Sequence, residues 1–268
     1  MGLEAFLAVA RCVQCQASGL QRGESQLICP HCSSTYPIQN GVIDFVREDH
    51  ANHSLTQKLM DNKSVVSVYE KYVRPSFIRL GAPLMNYQKE EAWLRENVPV
   101  SSDVVIDIAC GTGRYTRFLC EHAKPQLVVA VDLSQSMLEE SVQIAENQGL
   151  NNIVHVRADA AYLPLQDDSI DIVLCMAALH LFEDVTGAVK DMTRIARDQA
   201  RFACLTAQSL AALDFMQRFF DQVATFQFFR VNELQDQLES LGHSEISSST
   251  EHMALFVRSQ INKINCPN

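Results

Sequence analysis

Three acidic residues and a glycine loop have the spacing that a nucleotide-like cofactor site requires. The sequence DIACGTG runs from Asp107 to Gly113, directly after a short apolar segment. Gly111 and Gly113 would let the backbone approach a ligand closely at the start of a helix. Asp132 and Asp159 end the next two apolar segments. We expect Asp107 to hold an amino or cationic group, Asp132 to accept from ribose hydroxyls, and Asp159 to accept from an adenine amino group.

The same spacing excludes two common nucleotide sites. A dinucleotide fold uses G-x-G-x-x-G, but here the third glycine position is Thr116, and no Walker-type Gly-Lys-Ser/Thr follows. The cofactor is therefore expected to contain a ribose without requiring a pyrophosphate. A glycine pair alone is weak evidence, and any one of the acids could simply be a polar cap on a strand. Three acids at the ligand-binding edge of one sheet favour a cofactor site.

Alternating strands and helices are expected to position these residues. The predicted strands are VVIDIA, LVVAVDL, NIVHVRAD, SIDIVLCMAAL and ARFACLTA, with helical segments between them. One of these helices should begin after Ser134, a favourable N-cap residue. Alternation of this kind predicts a parallel sheet with right-handed crossovers. The acids at the carboxyl ends of neighbouring strands then meet at one edge.

Four of these segments together resemble the class I S-adenosylmethionine (SAM)-dependent methyltransferases. They are DIACGTGRYTRF, VVAVDLSQSML, VRADAAYLPLQDDSIDIV and AALHLFED, in that order. The resemblance extends from about Asp103 to the C-terminus and implies an α/β, Rossmann-like domain with a seven-stranded sheet and SAM as cofactor. It implies that Leu133 and Met137 pack on adenine, and that Ala160 with Asp159 meets the adenine edge. Two further positions are assigned to the cofactor: Met176, and Ala109, where such enzymes more often have glycine.

Two cysteine pairs near the start have the spacing of a zinc ribbon. CVQC and CPHC supply Cys12, Cys15, Cys29 and Cys32, with thirteen residues between the pairs. Two such knuckles can converge on one tetrahedral, structural zinc ion. Four reduced cysteines without a metal, or a redox CxxC pair, are the alternatives. The ribbon followed by YPIQNGVIDF resembles the zinc-ribbon segment found before methyltransferase domains in bacterial proteins and in an uncharacterised plastid-type group.

The chain is therefore expected to contain three parts. They are a zinc ribbon at 1–46, a linker with capping helices at 47–102, and a SAM-dependent methyltransferase domain at 103–268. Tyr69 and Tyr72 belong to a helix of the middle part, which we expect to close over the cofactor.

His180 is the candidate catalytic residue, because it lies just past the fourth predicted strand, where such domains place the acceptor. It is either a general base or a histidine that only shapes the pocket. Methyl transfer from a sulfonium is an in-line displacement, so alignment and desolvation can supply much of the catalysis. Phe182 and the later aromatics line either an apolar acceptor pocket or ordinary core. These aromatics are Phe215, Phe219, Phe220, Phe226, Phe228 and Phe229.

The net charge and the composition limit the classes of partner that we expect the chain to bind. The formal net charge is −10, and acidic side chains outnumber basic ones both before and after residue 50. This balance argues against a nucleic-acid partner, which needs clustered Lys and Arg. We therefore expect methylation of a small, largely apolar or aromatic acceptor on oxygen or carbon. The alternatives are a ribosomal RNA guanine methyltransferase with an N-terminal zinc finger, and a non-catalytic SAM-binding protein.

The remaining expectations concern the protein's surroundings. No run of residues approaches the length of a membrane span, and the apolar opening segment carries Glu4 and lacks a basic region. Together these features predict a cytoplasmic protein. The ribbon could also dock a protein partner.

Overall fold

A computed structural model describes residues 2–46, 66, 68–76, 85–100, 104–209 and 227–263. Its helices are α1 (Gly2–Val9), α2 (Tyr87–Asn97), α3 (Arg114–His122), α4 (Gln135–Asn147), α5 (Val185–Ile195) and α6 (Val231–Ser240). Its strands are β1 (Gln21–Arg22), β2 (Gln26–Ile28), β3 (Thr35–Gln39), β4 (Val42–Asp44), β5 (Val104–Ile108), β6 (Leu127–Asp132), β7 (Ile153–Arg157), β8 (Ile170–Met176), β9 (Ala196–Ala207), β10 (His243–Glu251) and β11 (Ala254–Ile261). None of the helices described in these ranges has the length and apolarity needed to cross a membrane.

Seven strands form the Rossmann-like sheet that the sequence predicts. Their order is β7-β6-β5-β8-β9-β11-β10. Strands β5 to β9 are parallel to one another. Strand β11 runs antiparallel to β9, and β10 runs antiparallel to β11. Every residue of β5 is buried, as expected for a strand covered by helices on both faces. All five predicted strands of the domain are confirmed.

The sheet is larger than the seven strands expected for the domain, because the first 46 residues add four strands to it. Strand β4 pairs in parallel with β7, and β3, β2 and β1 follow in antiparallel pairs. The described residues therefore form one sheet of eleven strands. An edge strand carries unpaired backbone groups that another strand can pair with, and β4 pairs with them at β7. Hydrophobic patterning predicts that both segments are strands, but not that they are neighbours.

The ribbon also shares the main hydrophobic core. The ring of Phe45, just after β4, stacks on Tyr36 at a centroid distance of 4.3 Å and meets Phe6 of α1 edge-on at 6.3 Å. Cys12 and Cys29 are fully buried in the cluster that contains these aromatic rings and the inner residues of β6 and β7. Ribbon and domain are thus packed as one body.

The helices that follow the strands begin where the sequence predicts. Ser134 caps α4, accepting a hydrogen bond from the Met137 N–H at 3.3 Å. Ahead of the domain, the structure describes a π-helical turn, Tyr69–Val73, and then α2. The predicted linker at 47–64 lies outside the described residues.

Candidate active site

A cavity of about 390 Å³ opens at the carboxyl ends of β5, β6, β7 and β8. This is the edge where parallel α/β sheets bind ligands. Asp107 and Gly113 are not among the described residues that line it. The other eight residues predicted to bind the cofactor do line it: Ala109, Gly111, Asp132, Leu133, Met137, Asp159, Ala160 and Met176.

The glycine loop after β5 uses left-handed backbone conformations. The φ angles are 55° at Ala109, 55° at Gly111 and 79° at Gly113. A Cβ atom at Gly111 would meet no heavy atom of the described residues within 4 Å, whereas one at Gly113 would lie 2.1 Å from the Ser141 Oγ atom. Gly111 thus leaves room for a ligand, and Gly113 lets the loop approach α4. Ala109 tolerates the conformation at a cost of about 1 kcal/mol.

Asp107 is a buried carboxylate behind this loop. Its Oδ2 atom accepts a hydrogen bond from the Thr116 hydroxyl at 2.6 Å. Its Oδ1 atom is buried without a hydrogen-bond partner among the described residues. Burial raises the pKa of Asp107 to about 7, and the charge of nearby Asp132 acts in the same direction. An unpaired buried oxygen is costly, and perturbed groups of this kind concentrate at functional sites.

Asp132 is held in place by the backbone around it. Its Oδ2 atom accepts from the Gly111 N–H at 2.8 Å, and its Oδ1 atom accepts from the Ser134 N–H at 2.9 Å. Each carboxylate oxygen can accept more than one hydrogen bond, so these two bonds alone do not prevent either oxygen from accepting a hydroxyl. At the end of β7, Asp159 is fixed similarly, since its Oδ1 atom accepts from the Ala161 N–H at 2.9 Å.

The segment before the domain closes the other side of the cavity, and it holds residues that the sequence analysis missed. Tyr69 lines the cavity as expected, but Tyr72 is 57% exposed, so its predicted role is wrong. Glu70 also lines the cavity. Its carboxylate accepts from the Thr112 hydroxyl at 2.6 Å and from the Arg117 guanidinium at 2.8 and 2.9 Å. No sequence motif marks Glu70, because its partners lie more than forty residues away.

Arg74 places a positive charge in the same wall. Its guanidinium pairs with Glu90 at 3.1 Å and lies over the rings of Tyr87 and Tyr115, at 4.9 and 5.2 Å from their centroids. The Tyr115 hydroxyl donates to Glu90 as well. The charge is therefore neutralised within the protein, in an aromatic setting that favours guanidinium groups.

His180 lies in a short 3₁₀ turn, Leu179–Leu181, just past β8. Its Nδ1 atom is 3.4 Å from the Thr206 hydroxyl oxygen. Burial, helped by the charge of Arg74, lowers the pKa of His180 to about 3. Its ring is therefore neutral at pH 7 but a weak base. Leu181 and Phe182 line the cavity, but His180 itself is not among the described residues that line it, so these features disfavour the general-base role.

Of the later aromatic residues, the structure describes Phe228 and Phe229. Phe229 is buried in the main hydrophobic cluster, which favours the core interpretation for it. Phe228 precedes it in the segment before α6. The predicted lining residues Phe215, Phe219, Phe220 and Phe226 lie outside the described residues.

The four ribbon cysteines converge at one point. Their sulfur atoms all lie within 4.8 Å of one another, with Cys12 and Cys32 at 3.5 Å and Cys15 and Cys29 at 3.6 Å. Zinc–sulfur bonds of about 2.3 Å in a tetrahedron imply sulfur separations near these values. The two knuckles also share one backbone geometry, because the residue after each pair, Gln16 or Ser33, has a φ of 62° or 61°. The cluster is compatible with a zinc module.

Comparisons with known proteins match the central part of the chain to methyltransferases. Residues 105–199 match a family model described as a methyltransferase domain. An uncharacterized chloroplastic methyltransferase of Arabidopsis thaliana is 28% identical over 189 residues, which are 66% of this chain and 53% of the relative. A demethylmenaquinone methyltransferase of Bacillus cereus is 27% identical over 50% of this chain and 59% of the relative. The chain thus spans little more than half the length of these relatives.

A solved structure shows the same fold. It is a phosphoethanolamine N-methyltransferase of Haemonchus contortus in complex with phosphomonomethylethanolamine and S-adenosylhomocysteine. It aligns with a TM-score of 0.64 at 12% identity, over 77% of this chain and 59% of that one.

Proposed function

We propose that this chain, whose residues 105–199 match a methyltransferase-domain model, is a SAM-dependent enzyme that methylates a small, largely apolar or aromatic acceptor on oxygen or carbon. The observation that carries the proposal is the cavity at the strand ends, where Asp132, Asp159 and the left-handed loop at Gly111 meet. The demethylmenaquinone methyltransferase among its relatives acts, by its name, on a quinone-type molecule, which is an acceptor of this class.

The residues present fit SAM. We assign the ribose hydroxyls to Asp132, the adenine edge to Asp159 and Ala160, and the adenine faces to Leu133 and Met137. Asp107, which lies behind the loop with a buried oxygen that has no partner among the described residues, would act on the charge of the amino group through water. Ala109, Gly111 and Gly113 shape the loop, and Met176 lines the cavity at the end of β8. SAM supplies a methyl group activated on a sulfonium.

The chain's own part in the reaction is to align the acceptor and exclude water. Met176, Leu181 and Phe182 give the cavity an apolar wall beside the glycine loop. A histidine with a pKa of about 3 would remove a proton poorly, so no proton transfer is assigned to His180 in this proposal. Acceptors that are nucleophilic without a strong base, such as acidic phenols and enols, fit these properties best.

The ribbon is proposed to hold one structural zinc ion through Cys12, Cys15, Cys29 and Cys32. A closed site of four cysteines leaves no position for a substrate, which is why we assign it to stability. The cytoplasmic location stays a prediction, and the Arabidopsis relative is named as chloroplastic.

Cofactor binding is tested at Asp132. In Asp132→Ala, the charge-assisted bonds to the ribose and to the Gly111 and Ser134 N–H groups are lost. We expect SAM or S-adenosylhomocysteine (SAH) binding to weaken by about 1–3 kcal/mol. Calorimetry on the purified chain and this variant measures it, and equal affinities would contradict the assignment of Asp132.

The acceptor class is tested by comparing two kinds of substrate. A panel of phenols, quinones and lipid-like enols should contain a molecule that the chain methylates. Ribosomal RNA fragments should show no salt-dependent retention, because an enzyme that grips RNA must neutralise several phosphates. Tight, salt-sensitive RNA binding with methyl incorporation would instead support the RNA methyltransferase.

A further inference from the structure

Arg157, the last residue of β7, bonds in two directions. Its Nε atom donates to the carbonyl oxygen of Leu133 at 2.9 Å, and its Nη1 atom donates to the Asp44 carboxylate at 2.9 Å. The side chain of Arg157 is 18% exposed and that of Asp44 is 28% exposed. A ribbon residue, Asp44, is therefore connected through one guanidinium to Leu133 in the cavity wall.

The ribbon also holds the loop that follows Asp159. The Arg11 N–H donates to the Pro164 carbonyl oxygen at 3.0 Å, and the Gln166 N–H donates to the Val9 carbonyl oxygen at 2.8 Å. Arg11 immediately precedes the first cysteine of the cluster. Both loops of the cavity's adenine side are thus bonded to the first 46 residues.

We propose that Arg157 and Asp44 are positioning residues for cofactor binding, through which the ribbon sets the adenine wall. The proposal rests on the proposed function, because it takes Leu133 and Asp159 as the adenine site. A flat base gains binding energy from the residues that pack on its faces only when their spacing is fixed. Small displacements of such a residue cost much of its contribution to binding. Arg157 fixes Leu133 from outside the cavity, without contacting the cofactor itself.

The choice of arginine supports this role. A guanidinium presents several donors in one rigid plane, whereas the ammonium of lysine is a single point on a flexible stem. Asp44 is held in turn, since its Oδ1 atom accepts from the Val46 N–H at 2.9 Å. The chain Asp44–Arg157–Leu133 therefore has few ways to rearrange.

The test measures SAH affinity by calorimetry for the full chain and three variants, each with its metal content and melting temperature. Arg157→Gln should raise the Kd for SAH about tenfold, as expected for the loss of one bond to a charged group. Asp44→Asn should raise it less, because the bond to Leu133 remains. Arg201→Gln is the matched control, since the ion pair of Arg201 with Glu245 joins β9 and β10 away from the cavity.

A second readout separates positioning from general stability. S-ribosylhomocysteine keeps the ribose and homocysteine parts of SAH but lacks the adenine base. If Arg157 sets the adenine wall, Arg157→Gln should reduce the preference for SAH over this analogue by several-fold. A change in stability alone would weaken both ligands alike, and that result would overturn the proposal.

The outcomes separate this inference from the proposed function. If the unaltered chain does not bind SAH, the proposed function is wrong and the positioning role falls with it. If it binds SAH and Arg157→Gln binds equally well, only the positioning role is wrong. Should Arg157→Gln fail to fold, Asp44→Asn decides, and an unchanged Kd and unchanged preference in that variant would overturn the inference.

Discussion

The two ends of the cavity are built in different ways. The end assigned to adenine, called the adenine end below, rests on a backbone ladder, because β4 of the ribbon pairs with β7 and Arg157 adds a side-chain bond. At the opposite end, Glu70 bonds to Thr112 in the glycine loop and to Arg117 through its side chain. The first end is continuous with the core of the molecule, whereas the second is held by side-chain bonds, those of Glu70 and those that join Arg74 and Tyr115 to Glu90.

This difference separates stability from closure. Disrupting the strand pairing and the aromatic packing around Phe45 at the end assigned to adenine should cost global stability. A single substitution at Glu70 should weaken the other end, and the sheet beneath it stays intact. The predictions below test that contrast, starting with the largest expected effect.

Loss of the metal should damage the adenine end most. Cys29→Ser removes a fully buried ligand, so the metal should be lost and the ribbon should unfold. Since β4 would then leave β7, we expect the melting temperature of the whole chain to fall by roughly 10 °C, at about 2–4 °C for each kcal/mol lost. Calorimetric melting and elemental analysis measure both effects.

The matched control for the metal prediction is Cys120→Ser, at a half-buried cysteine of α3 outside the cluster. It should keep the metal, at about one ion per chain. Freshly purified, unchelated protein without metal would contradict the zinc proposal. Metal loss that left the melting temperature of the chain unchanged would contradict the structural tie between ribbon and domain.

The sequence predicted the local features at both ends of the cavity and missed the long-range contacts at both, for a physical reason. The glycine loop and the acids that end β6 and β7 are local features, visible as short motifs after apolar runs. The pairing of β4 with β7 and the bonds of Glu70 join residues far apart in sequence. Such contacts depend on which strand edge is free and where a side chain reaches after folding. Composition and periodicity do not record either.

The closure at Glu70 should be broken by a single change. Glu70→Gln removes the charge that pairs with Arg117, so the grip on Thr112 and the glycine loop weakens. We expect the Kd for SAH to rise about tenfold while the melting temperature changes little. Glu251→Gln is the control. It also removes one carboxylate charge from an ion pair, but the pair of Glu251 with Lys89 is more exposed than the pair of Glu70 with Arg117. A large fall in melting temperature would contradict the contrast between the two ends.

The smallest expected effect is the pH dependence of SAH binding at the glycine loop. Burial raises the pKa of Asp107 to about 7, above its value in the unfolded chain, so Asp107 is largely protonated at pH 6 and largely ionised at pH 8. A ligand ammonium group prefers the ionised carboxylate. SAH affinity should therefore rise with pH through 7 and level off, by up to about tenfold between pH 6 and pH 8, since the apparent Kd scales with the competent fraction. His155 and His180, with pKa values lowered to about 4 and 3 by burial, stay neutral across this window. Calorimetry at several pH values measures the trend, and Asp107→Asn should bind weakly with no such dependence. If Asp107→Asn kept the same pH dependence, a group other than Asp107 would be its source.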